Sequence, residues 1–188
     1  EIGCIVRGGW DNYLASPIFI TAKETISPLQ FPREDAEVLM TLAKKGLPCT
    51  IVPMPISGAS SPITPAANVA MATAEILGVF AALRSYEPKA RVVGGVITGV
   101  MDMSGGNALF TEPLAILQDR MVSQLFADFY NMDLGIGTGY IDSAIPGTQS
   151  VIEKTCKMLS SFQAGKTNYP VGIVEGGKTF CPEQAILD

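Results

Sequence analysis

The chain has 188 residues, 47% of them hydrophobic and 16% charged, which is enough apolar content for one domain with a substantial core and too much for a disordered segment. Its formal net charge is -5 and its 13 Lys and Arg are scattered, so no basic patch is present to meet a phosphate backbone and nucleic acid is not an expected partner. Histidine is absent altogether, which removes Ser-His-Asp and Cys-His nucleophile arrangements and every His-ligated metal.

Gly3 to Asn12 (GCIVRGGWDN) reads as a short strand or loop carrying the single tryptophan, and Ser16 to Ala22 (SPIFITA) as a buried strand. Pro32-Arg33-Glu34-Asp35 opens a helix through Lys45, with acidic residues in its first turn and Lys44-Lys45 in its last, the order a helix dipole favours; Gly46 ends it. The stretch around which the chain is organised is Pro48 to Pro65 (PCTIVPMPISGASSPITP). It is a strand as far as Pro53, then a loop of small residues, then Thr64-Pro65 at the head of a long apolar helix reaching to about Tyr86. Arg91 to Thr98 (RVVGGVIT) is a third strand whose two glycines imply close packing or a bulge. A loop from Gly99 to Ala108 and a helix from about Glu112 to Tyr130 follow. Leu134 to Gly137 is a short strand, Thr138 to Asp142 a loop, Ser150 to Ala164 a helix, and Val171 to Val174 a last strand ending in Glu175-Gly176-Gly177.

Strands and helices that alternate in this way imply a parallel sheet with right-handed crossovers. An open doubly wound sheet and a piece of a (β/α)8 TIM-type barrel both fit. The dinucleotide fingerprint would favour the first, but Gly135-Ile136-Gly137-Thr138-Gly139 brings its third glycine one residue early, and no such motif opens a helix after the first strand. The barrel is therefore favoured. A complete one takes about 250 residues, so residues 1–188 are expected to form a single α/β domain supplying roughly five of the eight β/α units of a longer barrel.

The Pro65 helix is long enough to span a bilayer, but Asn68, Thr73 and Glu75 interrupt it and alanine stands where leucine would be expected. It is expected to be buried or to face a second copy of the chain in a homo-oligomer, and no membrane partner is expected. A lone carboxylate among Ala74, Ile76 and Leu77 is costly unless paired, so Glu75 is expected to meet a hydroxyl or Arg84, or to face solvent. Cys4, Cys49, Cys156 and Cys181 lie far apart with no CxxC pair; they read as free thiols of a reducing cytoplasm, and no metal site is expected.

Three ordered blocks, VPMPISGASSPITPAANVAMATAEILG, GVITGVMDMSGGNALFTEP and GTGYIDSAIPGTQSVIEK, carry a PMP-x-x-GA-x-x-P-x-T loop, a VMDM loop and a G-x-x-D-S loop at compatible spacings. In these blocks the chain resembles the trimethylamine methyltransferase family, from about Ser16 to the C-terminus. The resemblance implies a β/α-barrel enzyme that moves a methyl group from a small tertiary or quaternary amine to the cobalt of a separate corrinoid protein. The chain itself would bind no cofactor, and the corrinoid protein would be its partner. Family members that use trimethylamine carry pyrrolysine in the barrel cleft. The matching place falls within Gly139-Tyr140-Ile141-Asp142, where Tyr140 stands, so the chain resembles the branch without pyrrolysine, whose activities include demethylation of glycine betaine.

That resemblance makes Tyr140 and Asp142 the candidate catalytic residues, with Met54, Ser57, Asp102, Gly139 and Glu175 as candidates for holding substrate. Aromatic faces and carboxylates host cations, and Tyr140, Asp102, Asp142 and Glu175 stand at expected C-terminal ends of strands, where a barrel places its site. Each has a plainer reading. Asp102 and Asp142 suit turn capping, Glu175 suits acceptance of backbone N–H groups from Gly176-Gly177, and Met54, Met101 and Met103 suit packing. Two other functions fit the residues: a cation-binding protein without transfer, and a barrel enzyme holding a phosphorylated metabolite at Gly135 to Gly139, which the scarcity of nearby Lys and Arg disfavours.

Overall fold

The computed structural model describes residues 2–137, 139–166, 173–174 and 179–180. Two short helices, α1 (Ile2–Arg7) and α2 (Trp10–Ala15), open the chain where a strand or loop was expected. Glycine makes the turn between them: Gly8 and Gly9 take φ of 74° and 136°, and the Gly9 N–H donates to the Cys4 carbonyl at 2.8 Å, closing a helix end in a conformation β-branched residues avoid. Cys4 and Tyr13 pack with Leu47, and the Lys45 ammonium lies 4.9 Å from the Trp10 ring centre, so tertiary contacts override the strand preference of Ile5-Val6. The buried strand expected at Ser16 to Ala22 shrinks to β1 (Ala22–Lys23), and Ile18, Phe19 and Ile20 ahead of it are exposed.

The helices that follow begin and end where their caps place them. α3 (Arg33–Lys44) has Glu34 and Asp35 in its first turn and Lys44 in its last. After β2 (Pro48–Ile51) and the two-residue β3 (Ile56–Ser57), α4 (Pro65–Tyr86) starts on a proline at its first position. β4 (Arg91–Val96) comes next. The segment expected as a loop from Gly99 to Ala108 instead holds β5 (Gly99–Met101) and reaches β6 (Ala108–Leu109). α5 (Pro113–Tyr130) is capped by the Glu112 carboxylate, which accepts the Leu114 N–H at 3.0 Å, and ends on Asn131 in the left-handed region. β7 (Leu134–Ile136) and α6 (Thr148–Gln163) complete the pattern.

β1, β2, β4 and β7 form one parallel sheet in that order, each new parallel strand adding on the same side. The sheet is open, with β1 and β7 as its edges among the described residues. Pairing of β2 with β4 runs on past the strands, from the Ile97 N–H to the Pro53 carbonyl and from the Gly99 N–H to the Pro55 carbonyl, into a small sheet in which β5 lies parallel to β3 and antiparallel to β6. The strand expected last, at Val171 to Val174, does not extend the parallel sheet: its described part, β8 (Ile173–Val174), pairs antiparallel with β9 (Thr179–Phe180).

The core lies between the parallel sheet and α3, α4 and α5, with Ile51, Ile76, Phe80, Val122, Phe126 and Leu134 at its centre. Gly94 of β4 lets α4 settle on the sheet, because a Cβ there would overlap the Leu134 side chain and come within 3.3 Å of Phe80. α4 is the one helix among the described residues long and apolar enough to cross a membrane, yet its Ile76, Phe80 and Leu83 face is spent on this core. Of the partners expected for Glu75, hydroxyls are the ones it finds, those of Thr25 and Ser27.

Candidate active site

Four strands running in parallel deliver their C-terminal ends to one edge of the sheet. Glu24 follows β1, Pro53 to Pro55 follow β2, Thr98 follows β4, and Gly137, Gly139 and Tyr140 follow β7. Loops gathered there need their backbone N–H groups satisfied, and three carboxylates do this.

Asp142 holds the loop after β7 to the residues that lead into α5. Its carboxylate accepts the Phe110 N–H at 2.8 and 3.0 Å, the Thr111 N–H at 2.7 Å, and the Thr111 hydroxyl. Glu153 of α6 in turn accepts the N–H groups of Asp142 and Ser143 at 2.8 and 2.9 Å. These bonds bring the Tyr140 ring beside Phe110, with centroids 5.4 Å apart and planes tilted by 45°. Burial raises the Tyr140 phenol above its ordinary range, and the Glu24 charge raises it further, so at neutral pH the ring is uncharged.

The third carboxylate is Asp119 on α5, which accepts the Thr98 N–H at 2.6 Å and the Thr98 hydroxyl at 2.7 Å. Asp119 is buried, and burial pushes its carboxyl up to about 7 against the pull of the Lys157 ammonium and the Thr98 donors. Lys157 of α6 is buried too and donates to the Gly137 carbonyl at 3.2 Å. Burial pulls its ammonium below the ordinary lysine range, while the charges of Asp119, Asp142 and Glu153 act in the opposite direction. One cation thus faces all three loop-holding carboxylates. A second polar cluster lies under β3: Ser57, 1% exposed, exchanges hydrogen bonds with the Gln118 amide, which also receives a bond from Asn68.

The residues singled out from sequence separate into groups. Tyr140, Gly139 and Asp142 share one loop, with Tyr140 and Gly139 half-buried and the Asp142 acceptors occupied by Phe110 and Thr111. Asp102 closes its own turn, accepting the N–H groups of Ser104 and Gly105 and the Ser104 hydroxyl, which holds its carboxyl below the usual range. Ser57 is tied into the buried Gln118 cluster, and Met54 is half-buried after β2. Glu175 lies outside the described residues. Phe110, Asp119, Glu153 and Lys157 are brought to the site by the fold, and no motif marks them. Among the described residues no group of His, Cys, Asp or Glu assembles a metal site.

A family model described as trimethylamine methyltransferase matches residues 1–188. A trimethylamine methyltransferase of Desulfitobacterium hafniense is 30% identical over 189 residues, covering 100% of this chain and 38% of the relative. One from Methanosarcina thermophila is 31% identical over 173 residues, covering 92% of this chain and 36% of the relative. A glycine betaine methyltransferase of Desulfitobacterium hafniense is 24% identical over 190 residues, covering 100% of this chain and 40% of the relative. The chain therefore spans well under half the length of these relatives.

Proposed function

The chain belongs to the trimethylamine methyltransferase family, and from that premise we propose that it takes part in moving a methyl group from a small quaternary or tertiary amine, such as glycine betaine, to the cobalt of a separate corrinoid protein. Its parallel strands add one after another on the same side, as those of an eight-stranded β/α barrel do, whereas the strand order of a doubly wound sheet reverses. The fold is accordingly read as part of such a barrel. Cys4, Cys49 and Cys156 are free thiols, in keeping with a reducing cytoplasm.

The observation that carries the site assignment is the Phe110–Tyr140 pair, held at the C-terminal edge of the sheet by Asp142. Phe110 is itself buried, 4% exposed, so the half-buried Tyr140 ring it supports is the face offered to a quaternary ammonium, which has no N–H to donate to a carboxylate. With a quaternary ammonium the acceptor supplies the electron pair that attacks the methyl carbon, the carbon–nitrogen bond breaks, nitrogen keeps its pair, and a neutral amine leaves without needing a proton. A tertiary amine leaves neutral only when its nitrogen already carries a proton. What falls to this chain is to hold the cation, aim one methyl group outward, and keep water from the nitrogen. Tyr140 does the holding, with its phenol kept neutral by burial and by Glu24. Asp142 and Glu153 fix the loop that bears it.

The test is demethylation of a panel of quaternary and tertiary amines by the protein with its corrinoid partner, with the product amine quantified by NMR. Tyr140→Phe keeps the ring and should leave KM within a few-fold. Tyr140→Ala should raise KM by about 2- to 30-fold, the range of a cation–π contact worth about 0.5 to 2 kcal/mol. Demethylation of no amine overturns the transfer, and a KM unchanged in Tyr140→Ala overturns the site.

A further inference from the structure

α4 carries Gly78 just past its midpoint, a choice that costs a helix about 1 kcal/mol relative to alanine. Packing does not require it, since a Cβ at Gly78 would meet nothing within 4 Å. The open space above it is part of a pocket of about 160 Å³ between α4 and the loop leading into α3, with Leu29, Phe31 and Val79 as apolar walls and Glu75 as its charged group.

Glu75 is 3% exposed. The Thr25 hydroxyl at 2.5 Å, the Ser27 hydroxyl at 3.0 Å and the Leu29 N–H at 2.9 Å hold its carboxylate in place. All three donors are neutral, so they fix its orientation without balancing its charge. No cation pairs with it among the described residues. A buried carboxylate ordinarily has a counter-charge. A carboxylate offers about four acceptor positions, and Oε1, which among the described residues accepts the Leu29 N–H alone, keeps a second lone pair for one more donor.

We propose that this pocket binds a small protonated alkylamine, its N–H donating to Glu75 Oε1 and its alkyl groups lying against Phe31, Leu29 and Val79. The walls argue against a metal ion: calcium takes about six to eight oxygen ligands and magnesium a near-ideal octahedron, while this pocket offers one carboxylate, the Thr25 hydroxyl already bonded to it, the Gln30 amide and otherwise apolar carbon. An aromatic wall adds cation–π attraction for an organic cation. The site shares no residue with the Tyr140 loop and stands whether or not that loop holds substrate. It also differs in preference, since Glu75 asks for an N–H that a quaternary ammonium lacks.

The experiment is calorimetric titration of the protein with trimethylammonium, tetramethylammonium and potassium ions at neutral pH, repeated with Gly78→Leu, Glu75→Gln and Tyr140→Ala. Trimethylammonium should bind saturably to the protein and to Tyr140→Ala alike, and in Tyr140→Ala, where the quaternary-ammonium site is removed, it should bind several-fold more tightly than tetramethylammonium. Gly78→Leu fills the pocket, leaves the three donors to Glu75 in place and gains helix propensity, so its melting temperature should not fall while its affinity drops by about tenfold or more. The proposal is overturned by absence of saturable trimethylammonium binding, by equal affinity in Gly78→Leu, or by binding that Tyr140→Ala abolishes and Gly78→Leu spares.

Discussion

Replacing Asp119 with asparagine should flatten the pH dependence of stability between about pH 4 and pH 7. Burial pushes the Asp119 carboxyl from its ordinary 3.8 up to about 7 in the folded chain. An unfolded chain releases that proton near pH 4, at about 3.9. Between the two values the folded state binds a proton that the unfolded state has lost, so stability falls as pH rises. The contribution is full below about pH 4, is lost as pH passes 7, and changes no further above that. A difference of about three pH units, at about 1.4 kcal/mol each, amounts to on the order of 4 kcal/mol across the window. Urea unfolding at half-unit steps from pH 4.5 to 7.5 measures it in the protein and in Asp119→Asn, and other carboxylates cancel in the difference. Lys157, whose ammonium is lowered by burial, adds stability as pH rises toward its ordinary 10.5, a slope opposite in sign to that of Asp119. If the two stability curves run parallel from pH 4.5 to 7.5, Asp119 is not the group that carries the proton.

Asp142→Ala leaves the N–H groups of Phe110 and Thr111 without their acceptor. At about 1 to 3 kcal/mol for each unsatisfied group it should cost about 2 to 6 kcal/mol in denaturant unfolding and raise the KM for the amine, and a wild-type midpoint would refute the clamp. Phe126→Ala removes a fully buried ring of the core and should cost about 3 to 5 kcal/mol. Phe129→Ala, three residues on and 79% exposed, should change stability by less than about 0.5 kcal/mol, so equal losses in the two variants would mean that α5 packs by another face.

The long helices were legible because each carries its own punctuation: Glu34-Asp35 and Gly46 around α3, Pro65 ahead of α4, Asn131 after α5. What escaped the sequence depends on partners far along the chain. α1 and α2 are six residues each and exist through Gly8-Gly9 and the contact with Leu47, while β5 and β6 are too short to show a period and form by pairing with β3 and each other. α6 misleads outright. Its Ser150, Lys154, Lys157 and Ser161 turn inward, and Ile152, Leu159 and Phe162 turn outward, against the ordinary expectation for an amphipathic helix. Lys157 therefore looks like a surface charge in the sequence and lies against Gly137 in the fold. The Tyr140 loop could be placed from its motif, but the donors to Asp142 are 31 and 32 residues away and no local spacing announces them.

The candidate site rests on one device used three times: a carboxylate that accepts the backbone N–H groups of a loop at the C-terminal edge of the sheet. Asp119 holds Thr98, Asp142 holds Phe110 and Thr111, and Glu153 holds Asp142 and Ser143. Backbone N–H groups accepted in this way hold a segment as rich in glycine and small residues as Gly139 to Gly147, together with the fully buried Ile141 side chain. Between the clamps Ile141 is fully buried and the Ser143 hydroxyl donates to the Ile145 carbonyl, while the half-buried Tyr140 ring rests on Phe110. Among the described residues Tyr140 makes no hydrogen bonds comparable to those of Asp142, so on the proposed reading exchanging its ring should change the cation held while the loop stays in place. The two residues two positions apart should accordingly fail in opposite ways: changes at Tyr140 alter which amine is held, and changes at Asp142 release the loop that holds it.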